Sequence, residues 1–161
     1  MAVSKKISPN KKSIGIIKDD AYFMRQALTV AKRAAARGEV PIAAVVVMDG
    51  KVFAAAANSR EHHRDPTAHA EISAIRKACK KIGDWRLTGA TLYVTMEPCL
   101  MCYGAIVQTR IGRIVFACEN NKNPSYLRQI YNEWPKGPDI QGAVEEKQAA
   151  TLLADFFKQL R

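Results

Sequence analysis

The sequence predicts one α/β domain with three layers, in which a mixed sheet of about five strands lies between two layers of helices. Its 161 residues are the length of one ordinary domain. Segments with helical periodicity alternate with short apolar runs rich in β-branched residues along most of the chain. From residue 90 a strand, a helix and a strand follow one another with short joints. That order indicates parallel pairing through a right-handed crossover.

The first half of the domain is predicted to contain a helix and a hairpin. Residues 19–39, DDAYFMRQALTVAKRAAARGE, have apolar side chains at helical spacing, acids at the front and Gly38 behind the last turn. The next segment, PIAAVVVMDGKVFAAAAN, contains two apolar runs joined by Asp49 and Gly50, the strongest short signal for a hairpin. Asn58 is therefore expected at the end of the second strand.

A polar loop, SREHHR, separates this hairpin from the second predicted helix. Asp65 is a good capping residue, and Pro66 suits the first helical position. The apolar spacing that follows predicts a helix to about Lys81, with Gly83 as its stop.

The second half is predicted to contain two strands and three helices. ATLYVT and IGRIVFAC are the strands, and EPCLMCYGAIVQTR is the helix between them. PSYLRQIYNEW is predicted to be a short helix, and PKGPDIQG a loop. Tyr126, Tyr131 and Trp134 of the short helix are predicted to stack on splayed bases, to pack in the core or to form a dimer contact. The final segment, VEEKQAATLLADFFKQLR, is predicted to be an amphipathic helix whose buried side carries Leu152, Leu153, Phe156 and Phe157.

The charge of the chain is uneven. The formal net charge is +10, and the five lysines of residues 1–18, which include no acid, supply half of it. Their mixture with Ser, Pro and Asn predicts a disordered extension over 1–18 and a folded domain over 19–161. Such an extension either contacts nucleic acid or is a solvated tail.

The chain is predicted to lie in a reducing compartment, and this decides how its cysteines are interpreted. The N-terminus lacks the apolar run of roughly 7 to 15 residues that an export signal needs, and no segment approaches the roughly 20 apolar residues of a membrane span. We therefore expect a cytoplasmic protein without membrane association. In that compartment Cys-x-x-Cys more often binds metal or performs redox chemistry than forms a structural disulfide.

Three side chains are candidates for one metal site. Cys99 and Cys102 are three residues apart at a predicted helix start, so both sulfurs lie on one face. Pro98 fixes the first turn, and the positive end of the helix dipole favours thiolates there. His69, at the start of another helix, supplies a third ligand. Three protein ligands with an open fourth position are typical of catalytic zinc.

Glu71 is the candidate proton carrier. Positions two apart on a helix point to different sides, so Glu71 and His69 share a site only if it lies over the helix end. A carboxylate beside a metal-activated water suits a general acid/base.

These motifs resemble the H-x-E and P-C-x-x-C signature of zinc-dependent deaminases. The chain is most similar to the bacterial tRNA-specific adenosine deaminases of the cytidine/deoxycytidylate deaminase superfamily. The likeness lies in EVPIAAVVV, DPTAHAEISAIR, WRLTGATLYVTMEPCLMCYGAI and RIGRIVF. It implies a cytidine-deaminase-like fold and one Zn²⁺ per subunit, held by His69, Cys99 and Cys102, with Glu71 transferring the proton. It also implies that Asn58 holds the purine and places five more residues at the substrate: Val40, Pro41, Ala70, Pro98 and Asn120.

The resemblance further implies a homodimer that deaminates adenosine to inosine at the wobble position of a tRNA anticodon loop. After IGRIVFA the bacterial tRNA enzymes usually carry R-D-x-K-x-G-A-A-G-S, whereas this chain reads CENNKNPSYLRQIYNEW, with Asn120 in place of the acid. A deaminase of a free base or nucleoside, such as guanine, cytosine or adenine, is the first alternative. A thiol redox protein, which leaves HAE unexplained, and a binding module with structural zinc are the others.

Overall fold

The computed structural model describes residues 19–122, 126–133 and 135–160, so the predicted N-terminal extension lies outside the described residues. None of the helices in these ranges is long and apolar enough to cross a membrane. The elements, in chain order, are α1 (Asp20–Ala35), β1 (Ala43–Met48), β2 (Lys51–Ala57), α2 (Arg60–His63), α3 (Ala70–Ile82), β3 (Thr91–Met96), α4 (Leu100–Gln108), β4 (Arg113–Cys118), α5 (Tyr126–Glu133), β5 (Asp139–Gln141) and α6 (Glu146–Gln159).

One mixed sheet with the strand order β2-β1-β3-β4-β5 forms the centre of the domain. β1 pairs antiparallel with both β2 and β3, whereas β3 with β4 and β4 with β5 are parallel. The β1–β2 hairpin turns at Asp49 and Gly50, whose φ angles of +49° and +66° are those that a type I′ turn requires. The predicted hairpin and the parallel β3–β4 pair are confirmed.

Helices cover both faces of the sheet. On one face Val45, Tyr93 and Val115 pack against α1 and Ala149 of α6. On the other face the alternate side chains of the same strands pack against α3 and α4. Because successive side chains of a strand point to opposite faces, each central strand serves both cores. The predicted three-layer α/β/α architecture is confirmed.

The prediction of a loop over PKGPDIQG is wrong in part, because β5 lies within it. This strand has only three residues, all exposed, and pairs with β4 alone. A Cβ atom built on Gly142 would lie 2.6 Å from the Phe116 ring, so this segment packs closely against the sheet just after β5. Tertiary contact rather than local propensity therefore sets the strand.

The second predicted helix starts later than Pro66. The Asp65 carboxylate accepts the backbone N–H and the hydroxyl of Thr67, both at 2.7 Å, and so closes a turn instead of capping a helix. α3 begins at Ala70, with His69 in extended conformation as its N-cap. The polar loop before it contains the short helix α2. This later start makes His69 the residue immediately before the first turn of α3.

A partly exposed ion pair ties α1 to the sheet. The Asp20 carboxylate accepts both terminal nitrogens of Arg113 on β4, at 2.7 and 2.8 Å, and the Tyr93 hydroxyl at 2.8 Å. Hydrogen bonds from Arg113 are the main cause that lowers the pKa of Asp20. Asp20 also occupies the first turn of α1, where negative charge is favourable.

We expect Asp20→Asn to reduce the free energy of unfolding by about 1 kcal/mol at neutral pH, since the paired side chains are partly exposed. A carboxyl whose pKa is lowered by folding stabilises the fold above its unfolded pKa of about 3.9, and this contribution is lost as the pH falls through the folded value. Urea denaturation of both proteins at decreasing pH should show the difference narrowing. Asp155→Asn, an exposed change on α6, is the control, and a difference that persists in acid would contradict the ion pair as its cause.

Candidate active site

The N-termini of α3 and α4 meet and bring the three predicted metal-binding side chains together. His69 is the N-cap of α3 and Cys99 the N-cap of α4, while Cys102 lies in the first turn of α4. The His69 Nδ1 atom is 3.7 Å from the Cys99 sulfur and 3.5 Å from the Cys102 sulfur. All three donor atoms lie within 4.8 Å of one another. Within the described residues this is the one group of three or more such donors.

The spacing of the three donors fits zinc. Typical bonds are about 2.3 Å to sulfur and about 2.0–2.1 Å to imidazole nitrogen, which at a tetrahedral angle places nitrogen and sulfur about 3.6 Å apart. The distances of 3.5 and 3.7 Å bracket this value. A set of two cysteine sulfurs and one imidazole nitrogen also favours zinc over hard cations, which prefer oxygen ligands. The residues therefore fit a zinc site with three protein ligands.

Local electrostatics favour anionic sulfur at this point. Neither N-cap side chain forms a capping hydrogen bond, so both are directed to the shared site. The pKa of the Cys99 thiol falls to about 4, because the Cys102 thiol and then the His69 ring hydrogen-bond to its sulfur. The backbone N–H groups at the two helix starts add positive potential. Cys99 is thus a thiolate at neutral pH. The hydrogen bond to the Cys99 sulfur raises the pKa of the Cys102 thiol, so this second thiol would lose its proton when zinc binds.

Glu71 lies beside these three residues in the first turn of α3. It is buried, with 4% of its surface exposed, and burial raises the pKa of its carboxyl to about 6. Together with His69 and Cys99 it lines a cavity. The sequence argument that His69 and Glu71 can share only a site at a helix end agrees with this placement.

The cavity has a volume of about 490 Å³, within the range of small-molecule sites. Four of the residues predicted to contact substrate line it: Val40, Asn58, Ala70 and Asn120. Pro41 and Pro98 are buried and are not among its described lining residues. Pro98 instead accepts a hydrogen bond at 2.6 Å from the Tyr131 hydroxyl through its carbonyl. This hydrogen bond ties Pro98, the residue before Cys99, to α5.

The structure shows which of its predicted roles, base stacking, core packing or a dimer contact, Tyr131 has. Its side chain is buried, and its ring centroid lies 4.0 Å from that of Tyr103. It therefore packs in the core, under the start of α4. The side chain of Tyr126 and all of Trp134 lie outside the described residues.

Several cavity residues were not predicted from the sequence. Phe157, expected on the buried side of α6, is 47% exposed and lines the cavity with Leu153. Adjacent helical residues point about 100° apart, so with Phe156 directed into the core, Phe157 lies at the edge of the buried face. That spacing is a signal that the sequence analysis passed over.

Two buried glutamates adjoin the cavity and were also missed. Glu97 lines it, and its carboxylate accepts the Asn120 backbone N–H at 3.0 Å. Glu39 lies behind Asn58 and accepts its side-chain amide at 3.1 Å. Each of them is an acidic residue close to the end of an apolar strand, which is a sequence signal for a buried carboxylate. Glu39 precedes β1, and Glu97 follows β3.

Comparison with known proteins is decisive for the family. A sequence profile of the MafB19-like deaminases matches residues 18–161. The tRNA-specific adenosine deaminase of Bacillus subtilis is 41% identical over 146 residues, which cover 88% of this chain and 91% of that protein. The chain belongs to the tRNA-specific adenosine deaminase family. The resemblance seen in the sequence motifs is thereby confirmed.

Solved structures agree with membership of the tRNA-specific adenosine deaminase family. One from a study of A-to-I editing by tRNA:A34 deaminases at the wobble position has a TM-score of 0.77 and 40% identity, over 82% of this chain and 99% of that one. It confirms the predicted cytidine-deaminase-like fold. The guanine deaminase of Bacillus subtilis has a TM-score of 0.60 and 36% identity, over 70% of this chain and 76% of that one.

Removing one sulfur should remove the metal. We expect Cys102→Ser to weaken zinc binding by more than the roughly 10- to 100-fold loss that follows removal of an outer partner of a ligand. Zinc content after dialysis against a chelator, measured by elemental analysis, checks this. Cys79→Ser, a cysteine on α3 away from the site, should keep one zinc per chain. Equal retention by both variants would exclude Cys102 as a ligand.

Proposed function

We propose that this chain is a zinc-dependent hydrolase that converts adenosine to inosine at the wobble position of a tRNA anticodon loop. One observation carries the proposal: His69, Cys99 and Cys102 meet at two helix ends, with the buried Glu71 beside them and a cavity in front. The relatives named as tRNA-specific adenosine deaminases support the choice of substrate. Residues 19–161 are the deaminase domain in this proposal.

The site residues have distinct tasks in this reaction. His69, Cys99 and Cys102 would hold Zn²⁺, which would supply Lewis-acid activation of a water molecule for attack on carbon 6 of the purine. Glu71 accepts one proton from that water and gives it to the purine ring, then takes the remaining proton of the added hydroxyl and gives it to the departing amine. Ammonia leaves as the carbon 6 carbonyl forms. The burial of Glu71 removes competing solvent, and its position within the cavity wall brings the carboxyl to the reacting atoms.

The rest of the cavity suits an unstacked base. Val40 and Phe157 provide apolar surface, whereas Asn58 offers a buried amide. Arg60 and Lys122 line the cavity and are exposed, so they are placed to contact phosphates of a loop. Anticodon loops present bases that are already unstacked and therefore cost little to draw into such a pocket.

We propose that the active form is a cytoplasmic homodimer. Leu100 and Met101, at the start of α4, are 48% and 38% exposed beside Cys99. Apolar side chains of this size next to an active site are expected to be covered by a second copy.

The proposed location in the cytoplasm rests on the cysteines. All four are free thiols, which is the state that a reducing cytoplasm maintains.

Substrate choice is tested by measuring inosine and ammonia from an anticodon stem-loop with a wobble adenosine, and ammonia from free adenine, guanine and cytosine. We expect deamination of the stem-loop. Guanine is the sharpest competitor, because this chain shares the fold of a guanine deaminase and lacks the usual family sequence over residues 118–134. Release of ammonia from guanine alone would overturn the proposed substrate and leave the metal chemistry intact.

Glu71→Gln should retain zinc and lose activity. The amide preserves the shape of the side chain but cannot accept and return a proton, so we expect kcat to fall by roughly 10²- to 10⁴-fold. Single-turnover assays on the stem-loop, with zinc content measured on the same sample, check this. Glu61→Gln, an exposed change on α2, is the matched control. Full activity of Glu71→Gln would exclude the proton-transfer role of Glu71. A binding module with structural zinc would instead show no turnover in either protein.

Asn120→Asp tests how the altered segment selects the nucleic acid. The Asn120 side-chain oxygen accepts the Lys122 backbone N–H at 3.1 Å, a contact that aspartate preserves. Asparagine can also donate, whereas an ionised aspartate only accepts, as a ribose hydroxyl donor requires. We therefore expect the RNA-to-DNA ratio of kcat/KM to rise by roughly tenfold, the size of one charge-assisted hydrogen bond. An unchanged ratio would exclude Asn120 from sugar recognition.

A further inference from the structure

Glu39 is a buried carboxylate that the proposed reaction does not use. It lies in the loop between α1 and β1, with 3% of its surface exposed. One oxygen accepts the Asn58 side-chain nitrogen at 3.1 Å, and the other accepts the His62 backbone N–H at 2.8 Å. Both partners are N–H donors, which is the pattern that an ionised carboxylate satisfies.

This contact fixes the orientation of the Asn58 carboxamide. An ionised carboxylate only accepts hydrogen bonds, so the amide must turn its nitrogen toward Glu39. In the flipped orientation two oxygens without a hydrogen between them would face each other, and Asn58 is only 7% exposed, so little solvent can relieve the repulsion. The Asn58 backbone N–H is also held, at 2.8 Å, by the Ile42 carbonyl. Asn58 therefore presents one fixed arrangement of donor and acceptor atoms.

The second oxygen of Glu39 positions another part of the cavity wall. His62 belongs to α2, and the same short helix carries Arg60, which lines the cavity. Glu39 is itself anchored, because its backbone N–H donates to the Ala34 carbonyl at the end of α1 at 3.1 Å. One buried residue, through its backbone N–H and its carboxylate, thus connects α1, Asn58 and α2.

We infer that Glu39 is a specificity-determining positioning residue, which selects the purine by fixing which end of the Asn58 amide faces it. The inference rests on the proposed function in so far as Asn58 contacts the purine. Glu39 does not touch the reacting atoms in this account. It acts through Asn58, and its loss should therefore change binding and selectivity rather than proton transfer.

Glu39→Gln is the informative change because it keeps the size of the side chain. The glutamine amide can donate to the Asn58 oxygen, so the Asn58 amide is free to reverse. We expect kcat/KM on the anticodon stem-loop to fall by roughly 10- to 100-fold, mainly through KM, as for loss of one hydrogen bond to a charged group. Zinc content should stay at one per chain, and Glu61→Gln should match the unaltered protein.

A double-mutant cycle with Asn58→Ala separates positioning from general damage. If Glu39 acts through Asn58, adding Glu39→Gln to Asn58→Ala should cause less than a twofold further loss, because the group being oriented is gone. Independent losses that multiply would overturn the inference. The same cycle on guanine decides the matter if the unaltered protein deaminates guanine instead of the stem-loop.

A readout that needs no substrate distinguishes failure of this inference from failure of the proposed function. In ¹⁵N NMR spectra, one side-chain amide proton of Asn58 should exchange slowly in the unaltered protein and in Glu61→Gln. It should shift and exchange faster in Glu39→Gln. The same exchange rate in all three proteins would overturn the inference, whatever the substrate. Slow exchange that depends on Glu39, in a protein inactive on the stem-loop, would reject the proposed substrate alone.

Discussion

The meeting of two helix N-termini is the constraint on which the rest of this structure depends. His69 and Cys99 are the N-caps of α3 and α4, and both side chains meet at a point where their donor atoms could hold a metal ion. The backbone N–H groups of the two helix starts favour a thiolate there. The sheet fixes this meeting. α4 connects the parallel strands β3 and β4, while α3 packs against the β1–β2 hairpin on the same face.

Buried carboxylates organise the cavity around that point. Glu71 lines the cavity beside His69 and Cys99, whereas Glu39 and Glu97 accept N–H groups of the segments that form the walls. A buried charge is costly unless it is hydrogen-bonded, so each of these contacts specifies one arrangement of its loop. The same loops carry Asn58 and Asn120, which are the proposed contacts to the substrate. In this account, selectivity therefore depends on the buried glutamates that hold these loops as much as on the side chains that touch the base.

The central part of the fold could be predicted because local signals agree with tertiary demands there. Asp49-Gly50 fixes the hairpin, and the continuous apolar runs of β1, β3 and β4 mark the central strands, which are buried on both faces. β5 could not be predicted, since three exposed residues carry no periodic signal and are held by packing around Gly142. The start of α3 was misplaced because Asp65 has two uses, as a helix cap or in an Asx turn, and Thr67 decides between them. Motif spacing found the three donor residues. The positions of Glu39 and Glu97 next to apolar strands mark them only as candidates, because the N–H groups that they accept lie in distant segments.

The central claim is that one imidazole and two thiolates hold a zinc ion whose remaining position is open to water. X-ray absorption at the zinc edge of the purified protein tests it most directly. The account predicts two sulfurs at about 2.3 Å and two nitrogen or oxygen neighbours at about 2.0–2.2 Å. A shell of four sulfurs, or one with no sulfur, would contradict it.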